Sequence, residues 1–370
     1  MAHGSYDLKK INTSNIYQYF LNDDEVTKQD LVNSLGLTLP TITKNIDYLT
    51  GMGLIQPCGM RGQTGGRSAV TYTLAADARL ALGLDITRHH VSCVAVDLRG
   101  KIISFARHWL PFENTGAYFD KVREILETLI KDNAIDRTKI LGVGIGLPAL
   151  VREDSKTIFY SGIIDALEPG VYDRFQESLP FDVKLYNDAN AAAYAERWDN
   201  KYLKNAFYIL LSNNVGGAMI INGKVYNGNG FKSAEVGHMM IVPGGKRCYC
   251  GQAGCADSYL AATNLSSDDL FGFFSRLTKG ETAEKKIWDE YLDHMAITLR
   301  NVHVLVDCDI IIGGYVGAYM EPYITKLRKK AKKLNTFEKT ADYLKLCSYK
   351  NESIAAGSAL HFVSDFIYSV

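Results

Sequence analysis

Gly237-His238, then Cys248-Tyr249-Cys250-Gly251-Gln252-Ala253-Gly254-Cys255, is the tightest chemical constraint in this 370-residue chain. Three thiolates and one imidazole are the donor set of a tetrahedral Cys3His zinc site. A CxC pair with a third cysteine five residues later keeps the sulfurs on one tight loop, and the intervening glycines permit the bend. His238, Cys248, Cys250 and Cys255 would fill all four positions, so the metal would be structural. The bland alternative is three buried, unliganded cysteines near a chance histidine. The total of seven cysteines is odd, which suits a metal site in a reducing compartment better than a disulfide framework.

The remaining composition narrows the class. A hydrophobic fraction of 47% over this length supports two or three domains, each with a core. The 41 basic and 41 acidic residues cancel, so any nucleic-acid contact must come from a local patch. No basic segment followed by an apolar stretch suggests a signal peptide, and no run of about 18 apolar residues suggests a membrane span. The expectation is a soluble cytoplasmic protein without membrane contact.

The N-terminal region reads as a winged helix-turn-helix over residues 1–76. Ile16, Phe20 and Leu21 have helical spacing within 12–24. Thr27-Lys28-Gln29-Asp30 resembles a capping box that starts a second helix, and Gly36 ends it. Thr38 can cap a third helix, with Pro40 in its first turn and Ile42, Ile46 and Leu49 as its apolar stripe. Two short strands around a Gly/Arg-rich loop at 59–67 complete a wing. Base contacts would come from Thr41, Thr43, Lys44 and Asn45 on the third helix. Arg61 and Arg67 on the wing would meet phosphates or a minor groove. One such domain has few cations, so dimerisation is expected for useful DNA affinity. The alternative for this region is a protein-interaction module.

Beyond residue 76 the pattern alternates between strands and helices. Strands are expected at 80–87, 90–98, 101–108, 139–146, 183–187, 206–212, 217–222, 224–226 and 309–312. Helices are expected at 116–133, 188–198, 284–306, 319–333 and 354–369. Asn222-Gly223 suits a hairpin turn. Mixed strands followed by helices argue a two-lobed α/β fold.

With Glu235-Val236-Gly237-His238, the cysteine loop and Asn187-Asp188-Ala189-Asn190-Ala191-Ala192-Ala193, the chain resembles the ROK family of bacterial repressors and sugar kinases. The resemblance extends over essentially the whole chain, and Thr64-Gly65-Gly66-Arg67 matches the wing of the family's repressor branch. It implies an actin-like, RNase H-like sugar-kinase fold with the first lobe at 77–190 and the second at 191–370. The last helix is expected to pack back on the first lobe. It also implies a sugar in the interlobe cleft, structural zinc, and a homodimer or homotetramer.

Carried over residue by residue, the sugar site is Asn187, Asp188, Glu235 and His238, with Asp257 standing where the family has a glutamate. These side chains suit hydroxyls that both donate and accept. His238 would hold sugar through one ring nitrogen and zinc through the other. The bland alternatives are a solvent-facing carboxylate for Glu235 and a helix cap for Asp188.

Asp188 matches the family's general base for phosphoryl transfer. The phosphate loops depart from the family pattern. The first reads Asp85-Ile86-Thr87-Arg88-His89, keeping the aspartate but neither glycine. The second reads Ser212-Asn213-Asn214-Val215-Gly216-Gly217. Close backbone approach to phosphate needs glycine there. Gly313-Gly314 is retained at the adenosine position, but Tyr315 follows where a small residue is usual. Asp85 and Asp188 then read as vestigial, and ATP is not an expected cofactor. The resulting expectation is a sugar-responsive repressor that binds operator DNA and has lost kinase activity. The rival is an ATP-dependent sugar kinase carrying a DNA-binding appendage. A regulator with a degenerate, ligand-free cleft is a third possibility.

Overall fold

The computed structural model describes residues 2–21, 23–62, 68–164, 170–266 and 269–370, with side chains from residue 10 onward. Thr64, Gly65, Gly66 and Arg67 of the expected wing lie outside these residues.

Three helices come first: α1 (Ala2–Tyr19), α2 (Lys28–Leu35) and α3 (Leu39–Gly51). The first helix starts earlier and ends earlier than the 12–24 expected from its apolar spacing. The chain turns at Phe20, whose N–H reaches back to the Tyr17 carbonyl. The capping box at α2 is complete. Thr27 Oγ1 accepts from the Asp30 N–H at 3.1 Å, and Asp30 accepts from the Thr27 N–H at 2.8 Å. A three-stranded sheet of β1 (Val26–Thr27), β2 (Ile55–Arg61) and β3 (Ala69–Leu74), in the order β1-β3-β2, closes the winged helix.

Two five-stranded sheets build the body. The first comprises β4 (Leu80–Ile86), β5 (His90–Asp97), β6 (Ile102–Trp109), β7 (Ile140–Leu147) and, after the small hairpin β8 (Leu150–Val151) and β9 (Ile158–Tyr160), β10 (Val183–Asn187). Its order is β10-β7-β4-β5-β6. The second comprises β11 (Ala206–Leu211), β12 (Val215–Ile221), β13 (Lys224–Tyr226), β14 (Asp309–Gly313) and β15 (Leu344–Leu346), in the order β13-β12-β11-β14-β15. Each sheet is thus an antiparallel meander of three strands extended by two parallel ones. This repeated topology is a two-lobed actin-like fold.

The helices of the body are α4 (Gly116–Asp132), α5 (Val171–Ser178), α6 (Asp188–Asp199), α7 (Asp257–Leu260), α8 (Leu270–Lys279), α9 (Thr282–Val306), α10 (Gly314–Gly317), α11 (Ile324–Leu334) and α12 (Ser353–Ser369). The helix expected at 319–333 is split. A single 3-10 turn at Glu321–Tyr323, containing Pro322, precedes α11. Proline lacks the N–H that a continuous helix would use there.

The last helix ties the molecule together. It packs on α6, on β4 and β7 of the first sheet, and on α1. A Cβ at Gly357 would lie 1.7 Å from the Ala191 carbonyl oxygen, so only glycine permits this approach of α12 to α6. Ile16, Tyr17, Phe20, Ile42 and Leu49 of the winged helix share one buried apolar cluster with Val94, Val96, Ala359, Val363 and Ile367. The winged helix is therefore continuous with the core of the body.

Candidate functional site

The cysteine loop converges as its spacing predicts. His238 and the sulfurs of Cys248, Cys250 and Cys255 bring one ligand atom each to within 4.8 Å of one another. Cys250 and Cys255 sulfurs are 3.8 Å apart, and Cys248 Sγ is 3.9 Å from His238 Nδ1. A tetrahedral zinc with Zn–S near 2.3 Å spaces its sulfurs by about 3.8 Å. The same separation is far beyond a disulfide bond of about 2.05 Å. The donor set and its spacing therefore fit zinc, and His238 Nδ1 is the ring nitrogen that faces the sulfurs.

A narrow cavity of about 40 Å³ lies on the other side of His238. Asn187, Asp188, Glu235, His238 and Tyr249 are among its walls. These residues come together because β10 ends at Asn187 and delivers Asp188 at the start of α6, while a 3-10 turn at Val236–His238 presents its flanks. Asn187 Oδ1 caps α6 by accepting from the Asn190 N–H at 3.0 Å, and its Nδ2 donates to the Ala149 carbonyl at 3.1 Å. Asp188 is buried and accepts from the Ala189 N–H at 2.8 Å. Burial pushes its pKa up to about 6. Glu235 stays open to the cleft, yet the surrounding walls and the nearby Asp188 charge push its pKa up to about 7.

Two features differ from the expectation. Asp257 is not among the residues lining the cavity. Its carboxylate instead accepts from the Val215 N–H at 2.7 Å, a buried bond that anchors the second loop. An aspartate is one methylene shorter than glutamate, which suits that backbone contact. His238 Nε2 is also already partnered, by the Tyr249 hydroxyl at 3.2 Å. Sequence reasoning missed Tyr249, although its place inside the CxC put it next to two metal-ligand positions.

A wide interlobe cleft of about 1010 Å³ opens nearby, lined by Arg88, His89, Trp109, Asn213 and Tyr315 among others. Beside both the cleft and the cavity at Asp188 lies a void of only about 10 Å³, bounded by Asp85, Asp188, Asn214 and Tyr315. That is barely the space of one water. The Asn214 Nδ2 group lies 3.5 Å from Asp188 Oδ2. Tyr315 reaches across to Asp85 at 3.5 Å, and the Arg107 guanidinium sits 4.9 Å from its ring centre. The first loop is a closed hairpin, with Thr87 Oγ1 accepting from the His90 N–H at 3.0 Å. Gly314, at φ 79°, is required by the strand-to-helix turn itself, because a Cβ there would lie 2.7 Å from the Leu211 backbone.

On the winged helix, Lys44 is exposed and Thr41 and Thr43 are half-buried. Asn45 corrects the expected DNA-facing set: it is buried, accepts from the Thr13 hydroxyl at 2.6 Å, and donates to the Thr41 carbonyl at 2.8 Å. Position 45 follows Ile42 by three residues, so it lies at the edge of the inward stripe. Arg61 closes β2 and pairs with Asp30 at 2.9 Å.

No described helix is long and apolar enough to cross a membrane. The model of the ROK family matches residues 81–364. A xylose repressor of Bacillus spizizenii is 25% identical over 98% of this chain and 88% of its own length. A crystal structure described as a ROK family transcriptional regulator, homologous to the Escherichia coli MLC protein, matches with a TM-score of 0.72 at 18% identity. It covers 98% of this chain and 97% of its own. A ROK family glucokinase from Streptomyces griseus, solved with glucose and AMPPNP, matches with a TM-score of 0.66 at 23% identity, over 76% of this chain and 98% of its own.

Proposed function

Since the chain belongs to the ROK family, we propose that it is a sugar-responsive DNA-binding regulator, a repressor of carbohydrate-uptake or catabolism genes, with no kinase activity. The observation that carries this reading is the crowding beside Asp188, where Asn214 and Tyr315 leave a void of only about 10 Å³. Phosphoryl transfer needs the attacking hydroxyl and the phosphate in line and in contact. Asn214 against Asp188 and Tyr315 against Asp85 would crowd that contact. A sugar pocket without access to phosphate retains use as a sensor, and the xylose repressor relative supports that use.

In this reading residues 1–76 bind operator DNA, 77–190 and 191–370 form the lobes, and two or four chains assemble so that paired winged helices meet paired half-sites. Asn187, Asp188, Glu235 and His238 hold the sugar. Asp257 shapes the pocket through Val215. Zinc at His238, Cys248, Cys250 and Cys255 would fix the His238 ring against the sugar. The cavity of about 40 Å³ holds only about three waters, so sugar entry requires it to widen, and Tyr249 on His238 Nε2 is the side chain placed to move.

The test pairs two titrations: sugar into protein with and without operator, and operator into protein with and without sugar. A change of about 10–100-fold in DNA affinity corresponds to about 1.4–2.8 kcal/mol of coupling, and sugar affinity must change by the same factor. Unchanged affinities for a sugar that binds would reject the sensor. Sustained ADP release with any sugar would restore the kinase reading.

A further inference from the structure

The seam between the winged helix and the body contains a groove of about 950 Å³ that the sugar-sensing reading leaves unused. Gln18 and Leu21, at the end of α1, form one side of it. The other walls carry five cations, Arg152, Lys184, Arg197, Lys201 and Lys224, against two acids, Glu153 and Asp365. Lys184 is paired with Asp365 at 2.5 Å. Among the described residues, none of the other four has a carboxylate within 4.0 Å. Such a concentration of one sign stands out in a chain whose charges sum to zero.

Two of the cations are held in place by the fold. Arg197 donates through Nε to the Gly223 carbonyl at 3.1 Å. Lys201 donates to the Leu21 carbonyl. Lys201 is half-buried, and burial with Arg99 and Arg197, partly offset by Asp23 and Asp24, holds its pKa below the ordinary lysine value. Arg197 and Lys201 thus stand close together at the point where the body grips the end of α1. Another wall is a stack of three flat rings. His361 lies 4.1 Å from Tyr186 and 3.8 Å from Tyr194, nearly parallel to both.

We propose that this groove is a second ligand site, for a small metabolite bearing a phosphoryl group, held by Arg197, Lys201, Arg152 and Lys224. A phosphate offers the charge and the multiple acceptors that guanidinium and ammonium groups satisfy best. It would supply a counter-charge to Lys201 and Arg197, since Arg99 is already paired with Asp24 at 2.8 Å. Because Lys201 also holds Leu21, the anion sits where it can bias the posture of the winged helix. That effect on DNA rests on the regulator reading; the binding itself does not.

The experiment uses the full-length chain with pyrophosphate, inorganic phosphate and AMP as probes at constant ionic strength, read by calorimetry. Pyrophosphate binding is expected, with AMP favoured over inorganic phosphate if the ring stack contributes. The Arg197→Gln/Lys201→Gln double variant should weaken binding by at least about tenfold. Since Lys201 also anchors α1, the Arg152→Gln/Lys224→Gln double variant is the companion, because both of its cations are exposed. It should weaken binding while leaving the melting temperature unchanged. Lys329→Gln, on α11, is the charge control and should have no effect. Absence of pyrophosphate binding, or equal loss in the Lys329 control, would overturn the proposal. A clear gain in binding through Glu235→Gln alone, by removal of a repelling carboxylate, would move the anion to the sugar cavity and also overturn it. Unchanged pyrophosphate binding with weakened non-specific DNA affinity would reassign the patch to the DNA backbone. If binding holds but operator affinity does not respond, the site stands and only its link to the winged helix fails.

Discussion

The Tyr315 hydroxyl on the second lobe stands 3.5 Å from the Asp85 carboxyl on the first. Asp85 is buried, and its Oδ1 has no hydrogen-bond partner among the described residues. Burial and the charges of Glu352 and Asp188 hold its pKa well above the carboxylate range. Burial disfavours the charged form of this carboxyl, against the opposing pull of Arg107 and the Tyr315 hydroxyl.

Asp85→Asn should therefore be nearly neutral, changing stability at pH 7 by less than about 1 kcal/mol. Tyr315→Ala should cost about 2–3 kcal/mol, because it removes a half-buried ring and exposes the face that Arg107 covers. Chemical denaturation of both variants checks this. A large loss in Asp85→Asn would mean the carboxyl is ionised and bonded.

Much of this arrangement was legible in the sequence, and the reasons are local. The zinc-ligand set, the Thr27–Asp30 capping box and the Asn222-Gly223 turn each depend on residues close together in the chain. Positive φ at both Asn222 and Gly223 is what that dipeptide favours. What stayed hidden depends on distant partners. Tyr315 and Asp85 are 230 residues apart, and the Thr13 that bonds the buried Asn45 is 32 residues away. Asp257 reads as a ligand until Val215 is seen to use its carboxylate. A polar side chain carries no mark in the sequence of whether its partner is a ligand or the protein itself.

Asn45 and Thr43 should separate cleanly. Asn45→Ala removes the buried bonds of Asn45 to the Thr13 hydroxyl and the Thr41 carbonyl and should destabilise the fold by about 1–3 kcal/mol. Operator selectivity should not change. Thr43→Ala should leave the melting temperature nearly intact and cost about 1–3 kcal/mol at one operator position. A thermal melt and a base-substituted operator series distinguish them. A reversed pattern would return Asn45 to the DNA-reading face.

Zinc removal should disorder the loop that carries Tyr249. Structural zinc contributes directly to folding, so Cys250→Ser or chelation should lower the melting temperature and abolish sugar binding together. Elemental analysis should give about one zinc per chain. Less than half, with no response to chelator, would leave the cysteines as free thiols.

The pH dependence follows from Asp188. Its folded pKa is about 6, above the unfolded carboxyl value of about 3.9. The native chain therefore holds the proton between these values. Stability should fall as pH rises from about 4 to about 6, and the loss should persist above that window. The full displacement is worth at most about 3 kcal/mol. Asp188→Asn keeps the shape and an acceptor for the Ala189 N–H. Its melting temperature should match wild type near pH 4 and exceed it near pH 7.5. Sugar binding should show the opposite trend in the wild type. Sugar hydroxyls donate best to ionised carboxylates, so affinity should rise through pH 6–7 as Asp188 and then Glu235 lose their protons. A flat pH profile on both measurements would place neither carboxyl in the site.

The last helix provides the physical connection between the sugar cavity and the winged helix. Asp188 starts α6, α6 packs on α12 through Gly357, and Phe366 near the end of α12 meets Tyr17 of α1 edge-to-face, with ring centres 6.5 Å apart. The Arg79 guanidinium lies 5.6 Å from the centre of the same Phe366 ring. A lobe movement on sugar binding that shifts α6 must shift α12, because carbonyl and glycine backbone are already in contact there. Packed cores respond by moving between discrete arrangements, which would carry the shift to α1. Phe366→Ala should loosen only the final step. Sugar affinity without DNA and DNA affinity without sugar should each stay within about threefold of wild type, while the coupling factor falls toward one. The four titrations that define the coupling in wild type measure it in the variant. Full coupling in a folded Phe366→Ala chain would show that the signal reaches the winged helix by another contact, such as the Arg99–Asp24 pair at 2.8 Å.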